Sequence, residues 1–118
     1  MPFEQRFVRE PVSRGTLEEI AQGGFGDMVK AVVDVERGIM VIGAELHSDE
    51  EAHLIEDGSR QSNLWGINLY PAEPSQDLIE FDSMINVRPA VGNRSRGVES
   101  EAIRDAIRRV VENLVISE

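Results

Sequence analysis

The 118-residue sequence predicts an α+β fold, with a mainly antiparallel sheet of four to five strands and about three helices packed on one face. Pairs of segments with alternating apolar residues, the pattern of half-buried strands, are separated by segments with helical apolar spacing. The alternation leaves one sheet face apolar, so we expect that face to take the helices. Because domains cluster at roughly 100–150 residues, residues 1–118 are expected to form a single α+β domain.

The clearest local pattern is a β-hairpin. Two runs rich in β-branched residues, 28–35 and 39–46, are separated by three residues that end in Gly38. A register that pairs Val35 with Met40 puts the alternating apolar residues of both runs on one side of the sheet. Further strands are predicted over residues 3–8, 64–70 and 78–87.

Three helices are predicted from capping patterns and apolar spacing. Thr16 and Glu19 have the spacing of a capping box, and the same spacing relates Ser48 to Glu51. The third helix is expected to start near Ser100, because apolar residues recur after it at helical spacing.

Charge is distributed unevenly along the chain, which has a formal net charge of -10. Residues 1–87 contain 17 acidic and 6 basic residues, whereas residues 88–109 contain 3 acidic residues and 6 arginines. An acidic surface disfavours general nucleic-acid binding, but the basic segment allows a small anionic ligand to bind at one place. Because the chain has no cysteine, disulfides and thiolate metal sites are excluded.

The sequence shows no targeting or membrane segment. The N-terminus lacks the basic segment and apolar run of a signal peptide. No apolar run approaches the roughly 20 residues that span a bilayer. We therefore expect a cytoplasmic protein without membrane association.

The face of the sheet opposite the apolar one carries residues that strands disfavour. Asp and Asn occupy four of its positions despite their low strand propensity, and Lys30 is expected to lie directly opposite Glu45. Such departures can mark a functional surface, although a solvated or loop-covered face has the same composition. The candidate polar-face site comprises Lys30, Asp34, Glu45, His47, Asn68, Asp82 and Asn86.

Glu45, His47 and Asp82 combine the imidazole and carboxylate groups that suit zinc, iron or manganese. Their spacing matches no established metal motif, so we assign no metal and no cofactor. His47 is instead expected to flank the cap of the second helix.

A second candidate site is the loop over residues 89–98, called here the arginine loop, together with the arginine that precedes it. Arginine side chains and backbone amides in a glycine-containing loop can hold a phosphate or another anion. The alternative is that these arginines pair with the acidic body and hold the loop down. The candidate anion-binding residues are Arg88, Arg94 and Arg96.

Five segments of the sequence resemble a short bacterial family of unknown function: GFGDMVKAVVD at residues 24–34, GAELH at 43–47, LWGINLYP at 64–71, FDSMINVRP at 81–89 and GNRSRGV at 92–98. The resemblance runs from about residue 15 to the C-terminus. It implies a stand-alone bacterial domain of this length and transfers no catalytic or cofactor role to any residue.

Two classes of function are compatible with these patterns. The first is a non-catalytic binding or interaction protein, expected to form a homo-oligomer, that uses the polar sheet face and the arginine loop. The second is a small enzyme for a phosphorylated or otherwise anionic substrate, with acidic and histidine groups as acid–base or metal-binding residues and the three arginines as anion ligands. The second requires these side chains to converge in one cleft. The sequence favours the first and leaves enzyme activity uncertain.

Overall fold

The computed structural model describes residues 3–117, so Met1, Pro2 and Glu118 lie outside the described residues. The strands are β1 (Arg6–Val8), β2 (Val12–Ser13), β3 (Val29–Asp34), β4 (Ile39–Ile42), β5 (Leu64–Leu69), β6 (Ile79–Glu80) and β7 (Val115–Ile116). The α-helices are α1 (Arg14–Gly23), α2 (His47–Glu56) and α3 (Glu101–Leu114). None of the helices within residues 3–117 has the length and apolar character needed to cross a membrane.

Five of these strands form one antiparallel sheet in the order β1-β4-β3-β5-β6. Strands β2 and β7 pair in parallel as a separate two-stranded sheet. The predicted α+β fold, with a mainly antiparallel sheet and three helices, is therefore confirmed.

The larger apolar cluster lies on the sheet face that α1 and α3 cover, called here the α1/α3 face. Strand residues Ala31, Met40 and Ile67 are completely buried there. Leu17 of α1 and Ile107 of α3 pack into the same cluster. This is the face that the alternation in the sequence predicted.

The helix α2 covers the opposite face, called here the α2 face, so the prediction that all helices share one face is wrong for α2. Its Leu54 packs against Val32, Val41 and Leu64 in a second, smaller apolar cluster. The central strands β3 and β4 are therefore apolar on both faces near their middle, as expected for strands that are covered on both sides.

The hairpin register differs by two residues from the predicted one, because Val33 rather than Val35 pairs with Met40. A two-residue shift leaves each side chain on its predicted face. The cause lies at the turn, where the carboxylate of Asp34 accepts the backbone N–H groups of Glu36 and Arg37, each at 2.9 Å. This Asx-type turn ends the strand at Asp34.

Strand β4 also ends earlier than predicted, at Ile42. Gly43 has a φ of +93°, and a Cβ there would collide with the backbone carbonyl oxygen of Glu4. The chain turns away from the sheet at this glycine. On this side of β3 the residue beside Lys30 is Gly43, whose N–H donates to the Lys30 carbonyl at 3.2 Å, so the predicted pairing of Lys30 with Glu45 is wrong.

The strand predicted over residues 78–87 is reduced to β6, because the chain then folds across the α2 face of β5. Gly66 allows this close approach, since a Cβ at Gly66 would lie 2.6 Å from the side chain of Ser83. A 3₁₀ turn, Met84–Asn86, follows. Ile85 consequently packs in the smaller cluster on the α2 face, not with Phe81 on the other side.

The helix caps agree with the sequence at only one of three helices. Ser100 caps α3 by accepting the N–H of Ile103, as predicted. Helix α1 begins three residues early, because Ser13 and not Thr16 accepts the capping N–H. Helix α2 begins at His47 without a side-chain cap, so the predicted Ser48 capping box is absent.

Candidate functional site

A cavity of about 490 Å³ opens on the α2 face, between the N-terminus of α2, the strands β3, β5 and β6, and the arginine loop. This volume is in the range of small-molecule sites, about 300–1,000 Å³. We call it the polar cavity. Its charged and hydrogen-bonding lining residues include Lys30, His47, Asn68, Tyr70, Glu80, Asp82 and Arg96.

The floor of the polar cavity is a row of three side chains on neighbouring strands. Lys30 of β3 pairs in register with Asn68 of β5, which pairs in register with Glu80 of β6. The Asn68 Nδ2 group donates to Glu80 Oε1 at 2.8 Å and to the carbonyl of Asp82 at 3.3 Å. Antiparallel pairing thus aligns a cation, an amide and a carboxylate across the sheet.

The Asn68 side chain has one polar atom left over. Its two acceptor partners, on Glu80 and Asp82, fix the position of Nδ2 and therefore of Oδ1. Asn68 is only 6% exposed, and its Oδ1 is buried without a hydrogen-bond partner among the described residues. A buried acceptor without a donor is costly, so a donor from a ligand would stabilise it.

Lys30 is half-buried at the other end of this row. Its ammonium lies 5.2 Å from the centre of the Phe25 ring. Within residues 3–117 it forms no ion pair, whereas seven ion pairs engage other basic residues. Lys30 therefore presents a positive charge to the polar cavity.

His47 is buried at the first turn of α2 and its ring is held in one orientation. The ring Nε2 lies 2.8 Å from the carbonyl oxygen of Ile67, and a carbonyl can only accept, so Nε2 carries a proton. Burial lowers the pKa of His47, and the nearby charge of Lys30 lowers it further, against the opposing effects of the Ile67 carbonyl, Asp82 and the Asn68 side chain. The imidazole is therefore neutral at pH 7, with Nδ1 as a lone-pair acceptor.

The arginine loop reaches the polar cavity through Arg96. Its Nε donates to Asp82 Oδ1 at 2.7 Å, and both side chains are about half exposed, at 58% and 41%. On the same wall, the hydroxyl of Tyr70 donates to Glu80 at 3.0 Å. Partial burial and this bond to Glu80 raise the pKa of Tyr70, so the phenol remains a donor.

The remaining predicted site residues lie elsewhere, because local structure uses them. Asp34 forms the hairpin turn, and Glu45 is exposed beyond Gly43 outside the cavity lining. Within residues 3–117, no cluster of three or more His, Asp or Glu side chains is placed to hold a metal ion. The candidate metal set of Glu45, His47 and Asp82 is therefore not assembled.

Asn86 is a structural residue of the α2 face. Its side chain accepts the N–H of Gly66 at 2.8 Å and donates to the carbonyls of Gly66 at 2.9 Å and Arg96 at 3.0 Å. Asn93 holds the other end of the loop through three backbone carbonyls. The two buried amides thus attach the arginine loop to β5 and place Arg96 at the cavity.

Arg88 points to a different part of the molecule. Its guanidinium lies 4.8 Å above the ring of Trp65 and donates to the carbonyl of Leu64 at 2.6 Å. Glu51 lies 3.5 Å away and pairs with it. Arg88 therefore holds its own segment to the body of the protein, as in the alternative interpretation of these arginines.

Arg94 is exposed, and its backbone belongs to an anion-binding turn whose anion is the protein's own. Glu99 accepts the N–H groups of Arg94 at 2.7 Å and Ser95 at 2.9 Å. These two bonds lower the pKa of Glu99. The amide nest expected in this loop exists, but a carboxylate of the same chain occupies it.

Two residues of the polar cavity, Tyr70 and Glu80, are not among the candidate site residues predicted from the sequence. Both lie on the predicted polar face by simple alternation, since Tyr70 is two residues after Asn68 and Glu80 is two before Asp82. Tyr and Glu are less unfavourable in strands than Asn and Asp are. Low strand propensity therefore did not single out these two positions.

Comparison with known proteins places the chain in a family. No curated protein and no solved structure matches it. The sequence model of one family, described as a protein of unknown function (DUF5674), matches residues 6–114, which include every residue of the polar cavity. The match covers most of the chain and confirms the resemblance to a family of unknown function. The chain therefore belongs to the DUF5674 family.

Proposed function

We propose that this protein binds a small organic anion in the polar cavity. The observation that carries the proposal is Lys30, which lines the cavity and forms no ion pair within residues 3–117. Arg96 adds a second basic side chain to the lining, and among residues 3–117 it donates only through Nε, to Asp82. Its remaining N–H groups are free to donate to a carboxylate or a phosphate.

The N-terminus of α2 adds a partial positive charge to the cavity. Leu46 precedes the helix without a side-chain cap, and Leu46, His47 and Ser48 all line the cavity. Free N–H groups at a helix start carry the positive end of the helix dipole. Together with the buried, unpartnered Oδ1 of Asn68, they form a site that accepts negative charge and also requires a donor.

The opposite end of the cavity limits the ligand further. Glu80 and Asp82 place carboxylates there, so an ion with negative charge on every side, such as free phosphate, fits less well than an organic acid. The favoured ligand has one anionic group near Lys30 and a hydroxyl or amino group that donates to Asn68. Hydroxy acids, amino acids and phosphorylated alcohols have this chemistry.

Isothermal titration of the full chain with lactate, alanine, glycerol phosphate and inorganic phosphate tests the proposal. We expect Lys30→Met, which removes the charge of Lys30, to weaken binding about 10- to 100-fold, because hydrogen bonds to charged groups contribute roughly 1.5–3 kcal/mol. Arg96→Gln should weaken it less. The matched control is Arg94→Gln, an exposed arginine of the same loop outside the cavity lining, which should leave affinity unchanged. Equal affinity in wild type and Lys30→Met would refute the site.

A second candidate, acid–base catalysis at the same place, is favoured by one observation. His47 is neutral at pH 7 and has its proton fixed on Nε2, so Nδ1 is available as a general base. NMR spectra of a bound acid, followed over hours, distinguish catalysis from binding. Conversion that disappears in His47→Gln, with binding retained, would indicate an enzyme, and an unchanged spectrum would indicate a binding protein.

A further inference from the structure

We infer that the ligand of the polar cavity is amphiphilic, with an apolar chain or ring attached to its anionic group. This inference rests on the proposed function and narrows the class of ligand. It is carried by two apolar side chains at the mouth of the cavity, Leu46 and Met84, which are 51% and 65% exposed.

The two side chains come from separate elements and meet at one opening. Leu46 precedes α2, and Met84 begins the 3₁₀ turn that crosses β5. Met28 and Ile85 are half-buried and also line the cavity. Single exposed apolar residues are ordinary, but an apolar rim around a charged floor is the arrangement of a site for a ligand with two chemical ends.

The other exposed large hydrophobic residues among residues 3–117 do not share this setting. Phe25, Ile55, Val91 and Ile116 are 39% to 70% exposed, and none of them lines the polar cavity. The rim is therefore distinguished by position and not by exposure alone. Ile55 and Val91 also provide control sites with matched exposure.

Size favours a small amphiphile over a second copy of the chain as the occupant. Two apolar side chains are far fewer than the roughly 20–30 residues per side of a stable protein interface. Methionine is flexible and polarizable, so Met84 can pack against apolar groups of different shapes.

A chain-length series measures the apolar contact directly. Acetate, butanoate and octanoate form one arm, and inorganic phosphate, butyl phosphate and octyl phosphate form the other, each titrated into the full chain. A fully buried methylene raises affinity by up to about fourfold. Because the rim is half open, we expect octyl ligands to bind on the order of 10-fold more tightly than butyl ligands. The two arms show whether the anionic group is a carboxylate or a phosphate.

Variants at the rim test where the chain lies. Leu46→Ala and Met84→Ala should each lower affinity for the octyl ligand about three- to tenfold and leave acetate or phosphate binding unchanged. Alanine removes the apolar side chain without adding a hydrogen-bond acceptor, so the N–H groups at the start of α2 remain as they are in the wild type. The controls Ile55→Ala and Val91→Ala should bind every ligand as the wild type does.

Each result has a distinct meaning. Equal affinity for short and long chains overturns the amphiphile and leaves the anion site standing, whereas absence of binding by every anion overturns the proposed function itself. Sedimentation of the unliganded protein tests the remaining alternative, in which a second copy of the chain covers the rim. A dimer that forms in the wild type and is lost in Leu46→Ala would show that a second copy covers the rim, and would overturn the inference.

Discussion

The two faces of the five-stranded sheet are both covered, but by different chemistry. The α1/α3 face holds the larger apolar cluster, in which the buried residues are hydrophobic. The α2 face combines a small apolar cluster with most of the buried polar side chains: Asp34, His47, Glu50, Asn68, Ser83 and Asn86. Apolar contacts are non-directional, whereas buried polar groups need particular partners. Both faces therefore contribute to stability, but only the α2 face also holds positioned polar groups.

The largest expected effect is on the α2 face, where a polar residue is as important to stability as a core residue. Asn86→Ala removes the partner of the buried N–H and C=O groups of Gly66 and should cost roughly 3–5 kcal/mol. Asn113→Ala, an exposed position on α3, should change stability by less than about 0.5 kcal/mol. Urea unfolding followed by the fluorescence of Trp65 measures both. A small loss of stability in Asn86→Ala would contradict the idea that a buried polar residue of the α2 face is as important to stability as a core residue.

A pair of apolar truncations separates the roles of the two faces. Ile107→Ala on α3 and Leu54→Ala on α2 each remove a fully buried side chain and should cost about 2–5 kcal/mol. Only Leu54→Ala should also weaken anion binding, because α2 carries His47 and the helix start that line the cavity. Calorimetric titration of both variants at a temperature where they remain folded tests this. Equal loss of binding in the two would contradict separate roles.

The buried carboxyl group of Glu50 should give the α2 face a characteristic pH dependence. Burial raises the pKa of Glu50 well above 4.5, against the opposing effects of the Ala44 N–H and Lys30. The unfolded chain loses this proton near pH 4.5 and the folded chain retains it to higher pH, so stability falls as the pH rises above 4.5. Glu50→Gln keeps an acceptor for the Ala44 N–H and cannot ionise. Its stability relative to wild type should therefore increase between pH 5 and pH 8 in urea unfolding.

The smallest effect is expected at the exposed nest of the arginine loop. The N–H groups of Arg94 and Ser95 lower the pKa of Glu99, so ionised Glu99 stabilises the folded chain above pH 4.5. That contribution is lost as the pH falls through the lowered pKa of the folded state. Glu99→Gln should show a slight loss of stability at pH 7 that disappears in acid. A difference independent of pH would show that the charge of Glu99 is not involved.

Several features of the fold follow from local sequence. Alternation from Val29 to Val33 correctly assigns the side chains of β3 that face α1 and α3, and Ser100 starts α3 as predicted. Both depend on neighbours within a few residues along the chain. The face on which α2 packs does not follow from local sequence, because Leu54 contacts strands that are distant in sequence.

In the candidate site, too, local sequence selected residues whose roles are decided by distant partners. Strand propensity selected Asn68 and Asn86 by the same criterion, yet one has a free acceptor in the cavity and the other is fully used by the backbone. The three arginines were likewise equivalent in sequence, and only Arg96 lines the polar cavity. Their roles depend on partners 10 to 24 residues away in the chain.

The sequence by itself determined the fold class, the polar composition of one sheet face and the basic character of the arginine loop. These properties follow from periodicity and charge, which are local. Only the tertiary structure decided that Lys30, His47, Asn68 and Arg96 share a cavity and that Glu99 fills the nest of the loop. Hydrogen bonds and ion pairs act over a few ångströms in space, so their partners are set by how the distant segments pack.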